Sequence, residues 1–514
     1  TYCINVNKKL PIGVSSFEKI RTDNYYYVDK THFIRKLIDQ GSYYFLSRPR
    51  RFGKSLFLDT IKCAFEGKKE LFENLFLEKN WDWSVSFPVI RIDFSKRVFD
   101  SNDLINKILQ NLDFYFQLFQ LPKPSHYNDY QFAFEQLIIQ IYNKYSKQVV
   151  LLVDEYDKPI LDNIENPQIA LHIRETLKAF YQTIKPLDKY LKFVFITGIS
   201  KFAKVSLFSG LNQLRDITLS KEYSTICGYT HYELLSTFGD LLNSQEEIQK
   251  IQEWYNGYSW CGELVYNPFD ILLYLQERQF LPYWFETGTP SFLMKVLQQK
   301  QFYIPQLEKT FSSDKLLESF DIEFIEPEAL LFQTGYLTIK DQFVKNNRIR
   351  YVLSYPNLEV KISLNETLSS LFAGSTSAKE KISIQLEAIF DNGDLDFLPG
   401  FLNNLFAQIP FQWYTRTYQY EAFYCTVFYV FLVATGINVI AEDTSSTGNI
   451  DLTVLYRNTA YIFEFKVDKG QPIEQILTKQ YYSKYLHYEK IFAIGIVVDS
   501  SSKSIKQFQI QKIK

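Results

Sequence analysis

The chain has 514 residues, 46% of them hydrophobic and 17% aromatic, which allows large buried cores, makes order rather than disorder the default and leaves room for roughly two to four domains. A net charge of −2 excludes a global field for nucleic acid, so any such partner must be met by local patches. Five scattered cysteines without C-x-x-C spacing, and five histidines without ligand spacing, argue against zinc and disulfides and for reduced thiols in the cytoplasm.

Residues 1–42 hold a Leu-Pro-Ile-Gly turn (Leu10–Gly13) and then a helix expected through Ile38, with Thr31 as its cap. The apolar run Tyr43–Leu46 follows and leads through Ser47-Arg48-Pro49-Arg50-Arg51-Phe52 into Gly53-Lys54-Ser55, after which Leu56, Phe57 and Ile61 keep a helical period. Strand, glycine turn and helix start in that order make a phosphate-binding loop. Gly53 lets backbone N–H groups approach phosphate oxygens, Lys54 is placed for the β/γ-phosphates, and the Ser55 hydroxyl for Mg²⁺. Arg48 stands where such a loop has its first glycine, and Pro49 brings no N–H donor, so Arg50 and Arg51 are candidate replacement phosphate contacts.

A second buried strand reads Pro88–Phe94, and a long helical region spans about 103–145. Five apolar residues, Val149–Val153, then run into Asp154 and Glu155, as a buried parallel strand ending at a site would. Asp154 can hold the Mg²⁺ bound to Ser55, and Glu155 can polarise the water that attacks the γ-phosphate. A helix (about 167–185) and a third strand, Lys192–Gly198, complete a parallel sheet, with Thr197 at a strand end where it can meet the γ-phosphate or its water. From about 219 to 347 the chain is mainly helical, with turns at Asn256-Gly257, Asn267-Pro268 and Thr287-Gly288, and Asn256, Tyr258, Thr287 and Thr289 are further binding candidates.

The last region carries a second chemistry. Glu421 opens an aromatic helix-periodic stretch, a strand follows at Asn438–Glu442, and the longest apolar stretch, Val427–Ala441, falls short of the ~20 residues of a membrane span. Asp451 begins a strand that turns at Arg457-Asn458 into Tyr461–Val467, where Glu464 and Lys466 alternate with apolar neighbours and so share one face. Two carboxylates and a lysine at a sheet edge suit a Mg²⁺ site for phosphodiester hydrolysis, with Lys466 positioning the water or the phosphate.

Arg48–Ser55, Asp154-Glu155-Tyr156-Asp157-Lys158-Pro159 and Ile196–Phe202 resemble the AAA-ATPase-like proteins that carry a C-terminal PD-(D/E)XK nuclease-superfamily domain. Trp254–Tyr258, Tyr266–Phe269 and Thr287–Ser291 agree with it, so the resemblance covers nearly the whole chain. It implies that Arg48 is the family's own variant of the loop and adds Gln475 as a residue beside the nuclease site. The expectation is an α/β protein with a P-loop parallel-sheet ATPase core (1–218), a helical lid or coupling region (219–400) and a mixed-sheet PD-(D/E)XK domain (401–514). ATP and Mg²⁺ are the expected cofactors. Glu155, Asp451, Glu464, Lys466 and Gln475 are expected in catalysis, Arg50, Arg51, Gly53, Lys54, Ser55, Asp154 and Thr197 at the nucleotide, and Ser55, Asp154, Glu421, Asp451 and Glu464 at metal. The expected partner is nucleic acid, DNA before RNA, with assembly of copies on ATP binding and no membrane. A nucleotide-switched interaction module that binds without cleaving is the alternative.

Overall fold

The computed structural model describes residues 8–287, 291–300, 302–314, 324–410, 421–441 and 451–514, apart from the side chains of Ser291, Gln298, Asp451 and Tyr481. The chain divides into two compact units, residues 1–287 with 312–351, and residues 288–311 with 352–514. Helices of the sequence-predicted middle region therefore fall into both.

In the first unit, strands β1 (Tyr43–Ser47), β2 (Val89–Asp93), β3 (Val149–Asp154), β4 (Leu191–Gly198) and β5 (Arg215–Asp216) form a parallel sheet in the order β2-β3-β4-β1-β5. β1 and β3 are buried at every residue, as strands covered by helices on both faces must be. Burial of a Val, Leu or Phe side chain contributes about 1.5–3 kcal/mol, so Val149–Val153 alone anchor the sheet centre. The long helical region consists of two helices, Ser101–Leu118 and Tyr130–Tyr145, each started by an aspartate, Asp100 and Asp129, whose carboxylate accepts the first free N–H groups. The helix Thr31–Gln40 is capped differently from expectation. Asp29 accepts both the N–H and the hydroxyl of Thr31, at 2.8 and 2.7 Å, and Thr31 is the first helical residue rather than the cap.

In the second unit, β6 (Asn438–Ala441), β7 (Asp451–Tyr456), β8 (Thr459–Val467), β9 (Lys490–Asp499) and β10 (Ser504–Lys512) lie in sequence order, antiparallel except for the parallel pair β8–β9. The hairpin turn at Arg457-Asn458 is present, with Arg457 at φ 50°. The helix Pro472–Lys479 makes the crossover that a parallel pair requires. The helix Glu421–Ala434 is buried from Phe423 onward and sets Phe428 against the rings of Phe463 and Phe465, 5.2 and 6.0 Å between centroids. Glu308 ties the unit together by accepting from Lys361 (2.6 Å), the Tyr429 hydroxyl (2.9 Å) and the Ala441 N–H (2.7 Å). Among the described residues no helix is long and apolar enough to cross a membrane.

Candidate nucleotide and nuclease sites

The carboxyl ends of β1, β2 and β3 deliver Arg48, Phe94 and Glu155 to one edge of the first sheet, where ligands of such sheets sit. Gly53, at φ 93°, precedes the helix Lys54–Phe65, a left-handed turn that other residues enter at a cost. The helix start borders a cavity of about 470 Å³ lined by Arg50, Arg51, Gly53, Lys54, Ser55 and Glu155. Lys54 is buried, and its ammonium donates to the carbonyls of Arg48 and Pro49, both at 2.8 Å. Burial lowers its pKa. Burial pushes the Glu155 carboxyl up to about 7, against the pull of Lys54, so at neutral pH it can both accept and release a proton. Glu155 also sits at φ 54°, a backbone position uncommon for a non-glycine and frequent at functional sites.

Asp154 is almost wholly buried. Its Oδ1 accepts from the Thr197 hydroxyl at 2.8 Å and its Oδ2 from Arg91 at 2.9 Å. Each carboxylate oxygen has a further lone pair, so Asp154 can still serve Mg²⁺ on Ser55 through a water. Thr197 is fully buried and spends its hydroxyl on Asp154 rather than facing the cavity. Asp157, also fully buried, accepts the N–H groups of Ile199 and Ser200 at 3.2 and 2.8 Å, which fixes the turn after β4.

In the second unit, Glu464 has no solvent exposure, and its Oε1 accepts from Lys466 at 2.9 Å. The same ammonium lies 3.4 Å from Glu421 Oε2, and burial raises the Glu421 pKa. Gly470, at φ 150°, passes so close to Lys466 that a Cβ there would lie 2.7 Å from Lys466 Cγ. A side chain at position 470 would therefore displace the lysine stem. Glu464 Oε2 and Gln475 Nε2 are buried with no hydrogen-bond partner among the described residues. An orphaned buried carboxylate oxygen carries a desolvation cost that a bound cation would remove, so the donor set fits Mg²⁺. Asp451 pairs directly with Glu464 in the β7–β8 register, which puts both on one sheet face, while its side chain lies outside the described residues. Among the described residues no three His, Cys, Asp or Glu already form a metal cluster.

Residues 11–208 match the family described as "Predicted AAA-ATPase", and residues 419–508 match the PD-(D/E)XK nuclease superfamily. Over 98% of the chain, and 99% of the relative, the sequence is 44% identical to an uncharacterized protein in the vnfD 5′ region of Azotobacter chroococcum mcd 1. The chain belongs to the AAA-ATPase-like proteins with a C-terminal PD-(D/E)XK nuclease-superfamily domain.

The distinctive loop of this AAA-ATPase-like chain now has a physical account. Arg48 is 1% exposed and faces away from the phosphate cradle. Its guanidinium donates to the carbonyls of Ser47 and Thr218, both at 2.9 Å, and Tyr223 at 3.2 Å, and lies 4.2 Å from the Trp260 ring. Phe52 wedges against Tyr258 and Trp260, and the Trp284 indole donates to the Arg50 carbonyl at 3.0 Å. The loop is thus held by residues beyond the matched ATPase segment. Restoring the usual glycine by Arg48→Gly is expected to destabilise the protein by about 3–5 kcal/mol, because buried carbonyls lose a charged donor and a cavity opens. Urea unfolding measures this, and unchanged stability would mean that the guanidinium is not the lock.

Arg50 and Arg51 both line the cavity, as expected of phosphate contacts, although Arg51 also lies 4.9 Å over the Phe269 ring and Arg50 is 3.4 Å from the Thr287 carbonyl. Thr287 lines the cavity, Tyr258 is buried against Phe52 of the loop, Asn256 is buried at the end of the helix Gln245–Tyr255, and Thr289 lies outside the described residues. Sequence reasoning missed Pro11, Val14, Val28, Phe269 and Leu272, which give the cavity an apolar side. The Leu-Pro-Ile-Gly and Asn-Pro-Phe turns were the available signals. The four described cysteines are free thiols.

Proposed function

We propose that this chain binds and hydrolyses ATP with Mg²⁺ in its first unit, and that nucleotide state controls a Mg²⁺-dependent phosphodiester-cleaving site in its second. The substrate is nucleic acid, DNA in preference to RNA on the nuclease-superfamily match. The observation that carries cleavage is the buried Glu464, with one oxygen on Lys466 and the other unpartnered among the described residues.

At the nucleotide, Lys54 exchanges its two loop carbonyls for the β/γ-phosphates, Ser55 and Asp154 are the Mg²⁺ residues, and Arg50 and Arg51 offset phosphate charge. The apolar side of the cavity takes the base, and Glu155 accepts the proton of the attacking water. In the second unit Glu421, Asp451 and Glu464 hold the metal, Lys466 positions the water or the phosphate, and Gln475 orients a neighbouring group by its amide. Bound Mg²⁺ supplies charge stabilisation at the scissile phosphate and a more acidic water. The chain works in the cytoplasm, consistent with its free thiols, and assembles on ATP.

The test uses the full chain with supercoiled plasmid, single-stranded DNA and RNA, with and without ATP and Mg²⁺, while light scattering follows its mass. DNA cleavage that needs Mg²⁺ and changes with ATP is the expected result. Intact substrates in every nucleotide state would instead make it a nucleotide-switched binding module.

A further inference from the structure

Between β2 and the helix Ser101–Leu118, the segment Ser95–Asp100 places Lys96, Arg97 and Phe99 at the carboxyl edge of the first sheet. Its backbone is anchored at nearly every residue. Val98 is buried, and its carbonyl accepts from Asn163 Nδ2 at 2.7 Å. The Phe99 N–H donates to Asp103 Oδ2 at 3.0 Å, and Lys107 donates to that same oxygen at 2.7 Å and to the Arg97 carbonyl. The carboxylates of Asp93 and Asp100 accept the N–H groups of Ser95 and Asp103, each at 2.8 Å. Of these acidic groups, Asp93 accepts from the segment's own backbone, Asp103 from Phe99 and Lys107, and Asp100 from the helix that follows, with Asp93 and Asp100 exposed.

Outward, the segment presents an aromatic ring beside two exposed cations, Lys96 and Arg97, with the exposed Asp100 at its end. The Phe99 ring is 61% exposed, with the Arg97 guanidinium 5.3 Å and the Lys107 ammonium 5.6 Å from its centroid, and Lys96 is exposed beside them. An aromatic ring fixed into solvent between cations matches the way proteins hold single strands, with bases stacked on rings and phosphates on neighbouring charges. We infer that Lys96, Arg97 and Phe99 form a docking point for single-stranded nucleic acid on the ATPase unit. A base stacks on Phe99, and the flanking phosphates lie on Lys96 and Arg97. Ser95, the first residue of the segment, lines the nucleotide cavity, so a docked strand presses on the ATP site through a single covalent step. The inference rests on the nucleic-acid partner of the proposed function, but not on cleavage.

Phe99→Trp in the full chain, titrated with oligo(dT) and with oligo(rU), reads the contact directly as a difference against the wild type with its six tryptophans. The introduced indole is expected to lose emission as oligonucleotide is added, with a midpoint that weakens as salt rises. Comparing the two oligonucleotides identifies which sugar is preferred. Phe99→Ala should weaken binding about tenfold and remove any oligonucleotide effect on ATP turnover while leaving the basal rate unchanged. Emission that stays constant at concentrations where the wild type binds or cuts the oligonucleotide would overturn the inference and leave the proposed function standing. Emission that changes with protein concentration alone would overturn it too, by assigning the segment to contacts between copies.

Discussion

Lys54→Ala is expected to lower ATP affinity by roughly a hundredfold or more. A charge-assisted hydrogen bond contributes about 1.5–3 kcal/mol, and Lys54 is placed to make at least two to the phosphates. The same substitution strips two loop carbonyls of their donor, so part of the effect will appear as lost stability. Glu155→Gln separates the two contributions, because it keeps the loop intact and changes only the group that takes the water's proton. It should bind nucleotide normally and turn over about 10²–10⁴ times more slowly. Fluorescent-nucleotide titration beside single-turnover hydrolysis checks both variants. Full turnover in Glu155→Gln would move the base to another residue, and full affinity in Lys54→Ala would take the phosphates out of this loop.

The second large effect is expected at Glu464. Glu464→Gln preserves shape but gives up the charge proposed to hold metal, and cleavage should fall by at least about 10³-fold. A readout independent of activity comes from stability. Mg²⁺ that binds the folded wild type raises its unfolding midpoint by mass action, and this increment should shrink in Glu464→Gln. Lys466→Met keeps the stem that packs on Gly470 while removing the ammonium between Glu421 and Glu464. Metal binding should persist there, so that turnover is lost without loss of Mg²⁺ stabilisation. Asp451→Asn should follow Glu464→Gln. Magnesium-dependent cleavage that survives in Glu464→Gln would place the chemistry elsewhere in the chain.

Much of this arrangement was legible because it depends on short spacings. Gly53-Lys54-Ser55 after an apolar run, carboxylates after Val149–Val153, and Glu464 two residues before Lys466 each follow from strand or helix periodicity, and the structure brings each set to one place. What stayed hidden depends on distant partners. Nothing near Arg48 announces that the carbonyls of Thr218 and Tyr223 lie around it, so the sequence showed a departure from the usual loop without showing what the guanidinium does. Thr197 stood at a strand end as expected, but Asp154 on the adjacent strand takes its hydroxyl. The apolar side of the cavity draws Val14, Val28 and Phe269 from segments far apart in sequence, each too ordinary locally to stand out.

The lock around Arg48 limits how this protein can be cut into parts. A fragment trimmed to the matched segment, residues 11–208, would contain every residue of the phosphate loop but would lack the carbonyls of Thr218 and Tyr223 and the ring of Trp260. Arg48 would keep the Ser47 carbonyl alone of those partners. Two of the missing partners are main-chain atoms, but the fragment would also lose the Thr218 hydroxyl, which accepts the Ser47 N–H at 3.1 Å, and the fully buried Tyr223 ring. A fragment that keeps this lock must run past Trp260, and one that also keeps the indole on the Arg50 carbonyl must run past Trp284.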